Sequence, residues 1–386
     1  MIVDKYTIRK QNEATVLSQI IKYEQISRAE VSKITNLNKA TVSEITAGLI
    51  EKKLVHELGS GESSKVGGRK PRILGFNKRA GCSINVDLGY NYVSSSLTFL
   101  NGEVYQAKKE KGFYINQQTV VEYVMNLVDD YQPLAEKMTE FGIVGMTLAI
   151  HGTVNNNKII FTPYYDLDVM DLVAALEEKV DFHVYVENEA NLSAVAEATF
   201  STNEKMLVSV NVYSGIGAGV IINRELYKGK DGNSGEIGHT TLIPKGKICP
   251  CGNHGCLEQY CSQKAVLNEY AQHVGKEVSL DEFVAAYRDN DDYAVKLING
   301  MCFDLSIGIN NLICHYSPNV IFINGSIFRR IPEMLDFIHH SLKPSMQKTT
   351  RLVHSSLGDE ATLFGAAAHS IKKFLEIDEL NLVKEE

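Results

Sequence analysis

The sequence predicts a mixed α/β fold in which a small, mostly helical segment precedes two similar α/β lobes. The first segment, residues 1–78, carries 14 lysines and arginines against 8 acidic residues, whereas the remainder carries 25 against 39. Its apolar residues recur at helical spacing, and its helix starts carry capping residues. The remainder contains two strand-rich stretches, each with glycines after its first strand, which indicates a duplicated lobe with a cleft between the copies.

Composition narrows the class of protein. A hydrophobic content of 44% over 386 residues is sufficient for a sizeable core and for two or three domains. We see neither an apolar run of about 18 residues nor a basic-then-apolar N-terminus, so we expect a cytoplasmic protein without a membrane span. The overall charge of −8 is divided unevenly. The basic segment therefore suggests a polyanionic partner, although scattered surface charge would give the same counts.

The basic segment has the pattern of a helix-turn-helix. Ser27 followed by Glu30 is a capping box that starts a second helix ending near Thr35. Asn38 is the expected N-cap of a third helix, whose apolar residues fall on one face. The other face of that helix carries Lys39, Thr41, Ser43 and Thr46. Two short helices joined in this way, with small polar and basic side chains exposed on the second, are typical of a DNA-reading pair.

A hairpin wing follows the helices. The stretch "GSGESSKVGGRKPRILGF" is a Gly/Ser-rich loop that ends in Arg69, Lys70 and Arg72. We predict a winged helix-turn-helix domain over residues 1–78 that contacts double-stranded DNA through these three residues and Lys39, Thr41 and Ser43. The alternative is a helical protein-interaction domain with a flexible linker. We expect a hinge at Asn77–Gly81 and a mobile, charged tail after Phe374.

Three of the seven cysteines, Cys249, Cys251 and Cys256, lie within eight positions. The odd total and the spacing do not suggest a disulfide framework. In a compartment that keeps thiols reduced, such a cluster is better explained as a metal site.

These motifs resemble the signature of the ROK family (repressors, open reading frames and sugar kinases). The resemblance covers residues from about 80 to 375 and is carried by the glycines at 215, 217 and 219, by "GNSGEIGH" and by "CPCGNHGCLE". A helix-turn-helix ahead of such a domain is similar to the repressor branch. Within that branch, "SRAEVSKITNLNKATVS" and "GSGESSKVGGRKP" look most like the xylose repressors of Gram-positive bacteria.

The resemblance implies a two-lobed actin/hexokinase-like (ribonuclease H-like) domain over residues 79–386 with a sugar pocket. Carried over residue by residue, the sugar-binding positions are Gly152, Asn188, Glu189, Glu236, His239 and Glu258. Taken alone, Glu236 would more simply be a solvated loop carboxylate. The resemblance also implies a structural Zn²⁺ held by His239, Cys249, Cys251 and Cys256, with His254 and Cys261 as rival ligands.

Three departures from the family's kinases argue against an enzyme. Glu189 stands where the kinases have aspartate, and Asn324–Gly325 stands where they tend to have a glycine pair. Tyr90 and Asn91 replace the second glycine and the threonine of the phosphate loop, where a tyrosine would obstruct the backbone approach to phosphate.

We therefore predict a sugar-responsive repressor that has no catalytic residues and that D-xylose releases from its operator. We expect it to bind DNA as a homodimer, and a tetramer is left open. One alternative is a ROK-type sugar kinase, ATP-dependent and with a glucose-like substrate, that has an appended DNA-binding domain. Another is a regulator controlled by a partner protein.

Overall fold

The computed structural model describes residues 5–60, 71–163, 165–342 and 349–383. The chain forms two compact units. Unit 1 comprises Met1–Ala149, Leu167–Val186 and Ala366–Glu386, and unit 2 comprises Ile150–Asp166 and Glu187–Gly365.

The helices and strands alternate along most of the chain, as expected for a mixed α/β fold. The helices are α1 (Lys5–Tyr23), α2 (Arg28–Thr35), α3 (Lys39–Glu51), α4 (Val120–Met138), α5 (Leu172–Glu177), α6 (Glu189–Ala196), α7 (Glu258–Cys261), α8 (Gln263–Val274), α9 (Leu280–Arg288), α10 (Asp292–Tyr316), α11 (Ser326–Arg330), α12 (Met334–Ser341) and α13 (Ala361–Leu375). The strands are β1 (Ile26–Ser27), β2 (Val55–Ser60), β3 (Arg72–Phe76), β4 (Cys82–Leu88), β5 (Tyr92–Phe99), β6 (Val104–Lys111), β7 (Ile143–Ile150), β8 (Thr153–Asn155), β9 (Lys158–Phe161), β10 (Val184–Asn188), β11 (Met206–Val212), β12 (Ile216–Ile222), β13 (Glu225–Leu226), β14 (Val320–Asn324) and β15 (Arg351–His354).

The N-terminal helices begin where the sequence predicts. Ser27 caps α2 in a complete capping box: its hydroxyl accepts from the Glu30 backbone N–H at 3.3 Å, and its own N–H donates to the Glu30 carboxylate at 2.9 Å. The Asn38 side chain caps α3 by accepting from the Thr41 N–H at 2.9 Å. Strands β1, β3 and β2 form a small antiparallel sheet in that order, in which β2 and β3 are the two arms of a hairpin.

One expectation about this segment is corrected. Thr46 does not lie on the exposed face of α3; it is buried, and its hydroxyl accepts a 2.9 Å bond from the Arg28 guanidinium. The hinge expected at Asn77–Gly81 stays a prediction. The Asn77 N–H donates to the Leu54 carbonyl at 2.8 Å, and the Ala80 carbonyl accepts from the Phe141 N–H at 2.8 Å, so backbone bonds hold the segment on both sides.

The two larger sheets share one strand order. In unit 1 the order is β10-β7-β4-β5-β6, and in unit 2 it is β13-β12-β11-β14-β15. If the five strands of each sheet are numbered in chain order, both sheets have the spatial order 3-2-1-4-5. In each sheet the first three strands in chain order pair with one another in antiparallel fashion. In unit 2, β14 pairs parallel to β11, and β15 pairs parallel to β14. The duplication inferred from the two glycine-containing stretches is therefore present in the fold.

Helices pack against the unit 2 sheet, and the apolar side chains of helices and strands together form the core of this unit. Helix α6 approaches β12 closely at Gly219, where a Cβ atom would lie 2.4 Å from the Ala190 carbonyl oxygen, so only glycine fits there. Among the described residues, α10 is the one helix long and apolar enough to span a membrane by length and composition. Half of its most apolar window is buried, and Ile298, Leu305 and Ile309 pack into the unit 2 core, which accounts for that composition.

Residues 376–380, which follow α13, are packed against the protein, which corrects the expectation of a mobile tail. Ile377 and Leu380 are 4% and 3% exposed. The Ser18 hydroxyl of α1 donates to the Glu379 carbonyl at 3.2 Å, and Lys10 of α1 forms an ion pair with Glu376 at 2.9 Å. Residues 376–380 therefore pack against the first helix within unit 1.

We predict that Leu380→Ala lowers the free energy of unfolding by about 2–4 kcal/mol, because it removes a buried side chain and leaves a cavity. Thermal unfolding followed by circular dichroism measures the effect. Asp378→Ala, an exposed neighbour in the same segment, is the matched control and leaves the midpoint unchanged. Equal midpoints for Leu380→Ala and the unaltered protein would contradict the packed tail.

Candidate functional site

The six residues predicted to bind sugar line a single pocket of unit 2. Its volume is about 90 Å³, and a neighbouring cavity of about 370 Å³ shares Gly152, Glu236 and His239 with it. The six are Gly152, Asn188, Glu189, Glu236, His239 and Glu258. Hydroxyl-rich ligands require acceptors and donors at fixed places, and three carboxylates, an amide and an imidazole supply them.

Each polar residue lies at the end of a secondary-structure element. Asn188 ends β10 and caps α6, and Glu189 is the first residue of that helix. Glu236 precedes a short 3₁₀ turn that ends at His239, and Glu258 begins α7. Element ends hold side chains more rigidly than long loops do, so the pocket is largely preformed.

His239 lies between two carboxylates. Its Nε2 is 3.9 Å from Glu236 Oε2, and its Nδ1 is 3.7 Å from Glu258 Oε1. Burial raises the pKa of the Glu236 carboxyl; the His239 ring opposes this rise, and the Glu258 carboxylate adds to it.

The sulfur cluster adjoins the pocket through the same histidine. The ligand atoms of His239, Cys249, Cys251 and Cys256 all lie within 4.8 Å of one another. The Cys249 sulfur is 3.5 Å from His239 Nδ1, and the Cys251 and Cys256 sulfurs are 3.7 Å apart.

These spacings fit zinc. In a tetrahedral site with Zn–S bonds of about 2.3 Å and Zn–N bonds of about 2.0–2.1 Å, two sulfurs lie about 3.8 Å apart, and a sulfur and a nitrogen about 3.5 Å. Burial raises the pKa of the Cys249 and Cys256 thiols, so these sulfurs become thiolates readily only when a cation compensates them. The two rival ligands are outside the cluster: His254 is exposed, and the Cys261 thiol bonds to the Leu257 carbonyl at 3.4 Å.

Several supporting residues carry no local motif that would reveal them. The Gln259 amide donates to the Cys249 sulfur at 3.5 Å and to the Glu258 carboxylate at 3.2 Å. Lys228 forms an ion pair with the fully buried Glu187, next to Asn188. These partners were missed because the contacts depend on tertiary structure.

The apolar part of the pocket was also missed. It includes Phe161, Pro163 and Ile216. Phe161 is the last residue of β9, and Pro163 lies two residues beyond it. A strand that ends in the run Phe161-Thr162-Pro163 is the one sequence signal that could have indicated them.

In unit 1 the glycine-containing stretch after β4 is occupied by the protein's own side chain. The Tyr92 hydroxyl donates to the Asp87 carboxylate at 2.9 Å. A Cβ atom at Gly89 would lie 2.2 Å from the Tyr92 ring, so that ring covers the glycine backbone. Tyr90 is 39% exposed.

The residues predicted to contact DNA differ in their exposure to solvent. On α3, Lys39 and Ser43 are exposed and Thr41 is half-buried. Arg72, on β3, is exposed and pairs with Glu57 at 2.7 Å. Arg69 and Lys70 lie outside the described residues.

Two sheets of the same strand order, together with a polar pocket beside a His/Cys₃ cluster, define an actin/hexokinase-like α/β protein. The ROK family model matches residues 83–373, and the chain belongs to the ROK family. A xylose repressor from Bacillus spizizenii is 35% identical over 385 residues, which covers 97% of this chain and 99% of that relative.

Two solved structures are similar to this one. A ROK family transcriptional regulator, a homologue of the Escherichia coli MLC protein, has a TM-score of 0.81 and 27% identity and covers 95% of this chain and 96% of its own. A ROK family glucokinase from Streptomyces griseus, in complex with glucose and AMPPNP, has a TM-score of 0.66 and 23% identity over 74% of this chain and 98% of its own. At that identity the glucokinase supports the fold alone. The family predicted from the motifs is confirmed.

We predict one zinc ion per chain in freshly purified protein, measured by elemental analysis. Cys251→Ser should lose the metal, because serine is a poor zinc ligand beside two thiolates and an imidazole. Cys314→Ser, at an exposed cysteine outside the cluster, is the matched control and should keep it. A metal-free unaltered protein would contradict the assignment.

Proposed function

We propose that the protein is a sugar-responsive transcriptional repressor that binds operator DNA and releases it when D-xylose binds. The observation that carries the proposal is the single unit 2 pocket lined by all six predicted sugar-binding residues, in a chain that also carries capped N-terminal helices and a hairpin. The similarity to a xylose repressor over nearly the full length supports the choice of sugar.

The N-terminal 78 residues form the proposed winged helix-turn-helix domain. Helices α2 and α3 are short and adjacent, the second exposes Lys39 and Ser43, and the hairpin of β2 and β3 follows at once. The second helix of such a pair enters the major groove, while the wing contacts phosphates. We place the start of the sugar-binding domain at residue 79; the family match beginning at residue 83 supports this boundary.

Zinc, when bound, supplies a fixed tetrahedral anchor for the loop and performs no chemistry on the sugar. His239 and the three cysteines would hold it. With Nδ1 directed to the cluster, the Nε2 of His239 is left to face the pocket beside Glu236, so metal binding fixes the orientation of a sugar-contacting ring.

We propose that the protein is not an enzyme. A sugar kinase needs a backbone cradle for phosphate and a free carboxylate for its metal. Here Tyr92 covers Gly89 and bonds to Asp87, which favours binding without turnover. The alternative of a sugar kinase with a DNA-binding arm requires this tyrosine to move away.

Release of DNA by the sugar follows from the thermodynamic linkage between sugar binding and DNA binding. A sugar induces only if it binds more tightly to the conformation that does not bind DNA, and DNA must then weaken sugar binding by the same factor. We propose a homodimer on a two-fold symmetric operator, with half-sites about one helical turn apart. A reduced His/Cys₃ site is consistent with the cytoplasm, where thiols stay reduced.

Lys39→Ala should weaken operator binding and reduce the slope of log K against log salt by about one, because a phosphate contact is lost. Thr41→Ala should instead change base preference. Fluorescence anisotropy over a salt series and an operator-variant panel measures both effects. Lys137→Ala, an exposed lysine on α4, is the matched control. Unchanged binding in both α3 variants would contradict the domain assignment.

D-xylose should release the DNA at a lower concentration than D-glucose, because a pocket that closes over C5 of the sugar would reject the extra hydroxymethyl group of glucose by a clash. Both sugars are titrated into the same protein–operator complex by anisotropy and into the free protein by calorimetry. If glucose releases the DNA at a lower concentration than xylose, the choice of xylose is wrong, whereas the proposal of a sugar-responsive repressor stands.

A coupled ADP-release assay with the same sugars provides the control for enzymatic activity. We expect no ATP consumption, and turnover of either sugar would favour the kinase alternative. If neither sugar binds the purified protein at millimolar concentration, the effector belongs to another class, such as a partner protein.

A further inference from the structure

A second cavity of unit 2 adjoins the sugar pocket and is not used by the proposed function. Its volume is about 370 Å³, which lies in the range of about 300–1,000 Å³ typical of small-molecule sites. The cavity and the pocket share a boundary, because the same residues line both: Gly152, Phe161, Pro163, Glu236, His239 and Cys251. A ligand held in the pocket can therefore extend into this cavity.

We propose that the cavity is a subsite for a second sugar ring, so that the protein also binds a neutral xyloside of two rings, such as xylobiose. One ring would occupy the pocket and the other ring the cavity. Thr153, Ile160 and Asn233 line the cavity but not the pocket, so they belong to the subsite alone. The inference rests on the proposed sugar-binding function and adds a larger class of ligand to it.

The β8–β9 hairpin gives the cavity an apolar wall. Ile160 and Phe161 are consecutive residues of β9, and they are 54% and 43% exposed. Pro163, two residues beyond the strand, is exposed as well. Apolar side chains that cluster at the surface mark binding grooves, whereas single ones are common everywhere. The C–H groups of a pyranose form an apolar face that can lie on such a wall, so the second ring would be partly desolvated there.

Polar residues line the same cavity. Thr153, Asn233 and Glu236 bring a hydroxyl, an amide and a carboxylate, which supply the donors and acceptors that ring hydroxyls need. No lysine or arginine is among the described residues that line the cavity. A phosphate or carboxylate on the ligand would therefore lie beside Glu236 without a guanidinium or ammonium partner. The lining favours a neutral sugar over a sugar phosphate or a sugar acid.

Two glycines let the backbone pack closely against this hairpin. A Cβ atom at Gly152 would lie 2.2 Å from the Phe161 carbonyl oxygen, and one at Gly232 would lie 2.4 Å from the Val154 carbonyl oxygen. Gly232 also has a φ of 81°, in the region that favours glycine. The hairpin is therefore held closely at two places, and the wall exists before a ligand binds. A preformed site loses less binding free energy to the ordering of the protein.

The test compares one ring with two. The full-length protein, as purified, is titrated by calorimetry with D-xylose and with xylobiose, and chromatography after each titration verifies that the xylobiose is intact. Ile160→Ser and Asn233→Ala change the cavity alone. Ile243→Ser is the matched control, because Ile243 is an isoleucine of unit 2 that is 45% exposed and lines neither space. Thermal midpoints report whether each variant is folded, and Asn233→Ala remains informative if Ile160→Ser does not fold.

We expect the unaltered protein to bind xylobiose about tenfold more tightly than D-xylose, because the second ring buries apolar surface and gains hydrogen bonds. Ile160→Ser and Asn233→Ala should each weaken xylobiose binding by about three- to tenfold and leave D-xylose binding unchanged. Ile243→Ser should bind both sugars as the unaltered protein does.

Three results would overturn the inference while leaving the repressor proposal intact. The first is xylobiose binding that is no tighter than D-xylose binding. The second is an advantage of xylobiose that survives in both cavity variants, which would place the second ring elsewhere. The third is a loss in Ile160→Ser alone, which would mean that the cavity takes an apolar group and not a sugar ring. If the unaltered protein binds neither sugar, the proposed function and the inference fail together.

Discussion

The two nitrogens of the His239 ring face two different environments, and the arrangement of the site depends on this division. Nδ1 lies 3.5 Å from the Cys249 sulfur, while Nε2 lies beside Glu236 in the pocket. A metal held through the first nitrogen would orient the second. The loop that carries Glu258 is tied to the same cluster through Gln259. The stability of the cysteine loop and the geometry of the pocket are therefore coupled.

The opposite part of the pocket is held by hydrogen bonds instead of a metal. Glu187 is buried, pairs with Lys228 and supports the backbone of Asn188. Asn188 in turn holds Glu189 and the Gly152 carbonyl. A buried carboxylate is tolerated only when it is paired and hydrogen-bonded, so this network has few alternative arrangements. Under the proposed function, preorganisation of this kind would let the pocket discriminate among sugars that differ by one hydroxyl.

Unit 1 combines the N-terminal helices with the last segment of the chain. Lys53 forms an ion pair with Glu140. The last segment contacts α1 through a hydrogen bond from Ser18, and its Leu380 side chain is buried. The proposed DNA-reading helix therefore belongs to unit 1. In the same unit, Tyr92 occupies the glycine turn where a kinase would need open backbone.

The features that could be predicted from the sequence are those that depend on neighbouring residues and on their spacing. The Ser27 and Asn38 caps, the hairpin and the three-cysteine cluster were identified because each is a local pattern. The duplicated sheets followed from repeated strand and glycine patterns. Tertiary structure alone decided the rest. Asn188 and Gly152 are 36 positions apart, and Ser18 and Glu379 are 361 apart. Whether a side chain is saturated, or a tail is packed, depends on partners that only folding brings together, so no local pattern could reveal either.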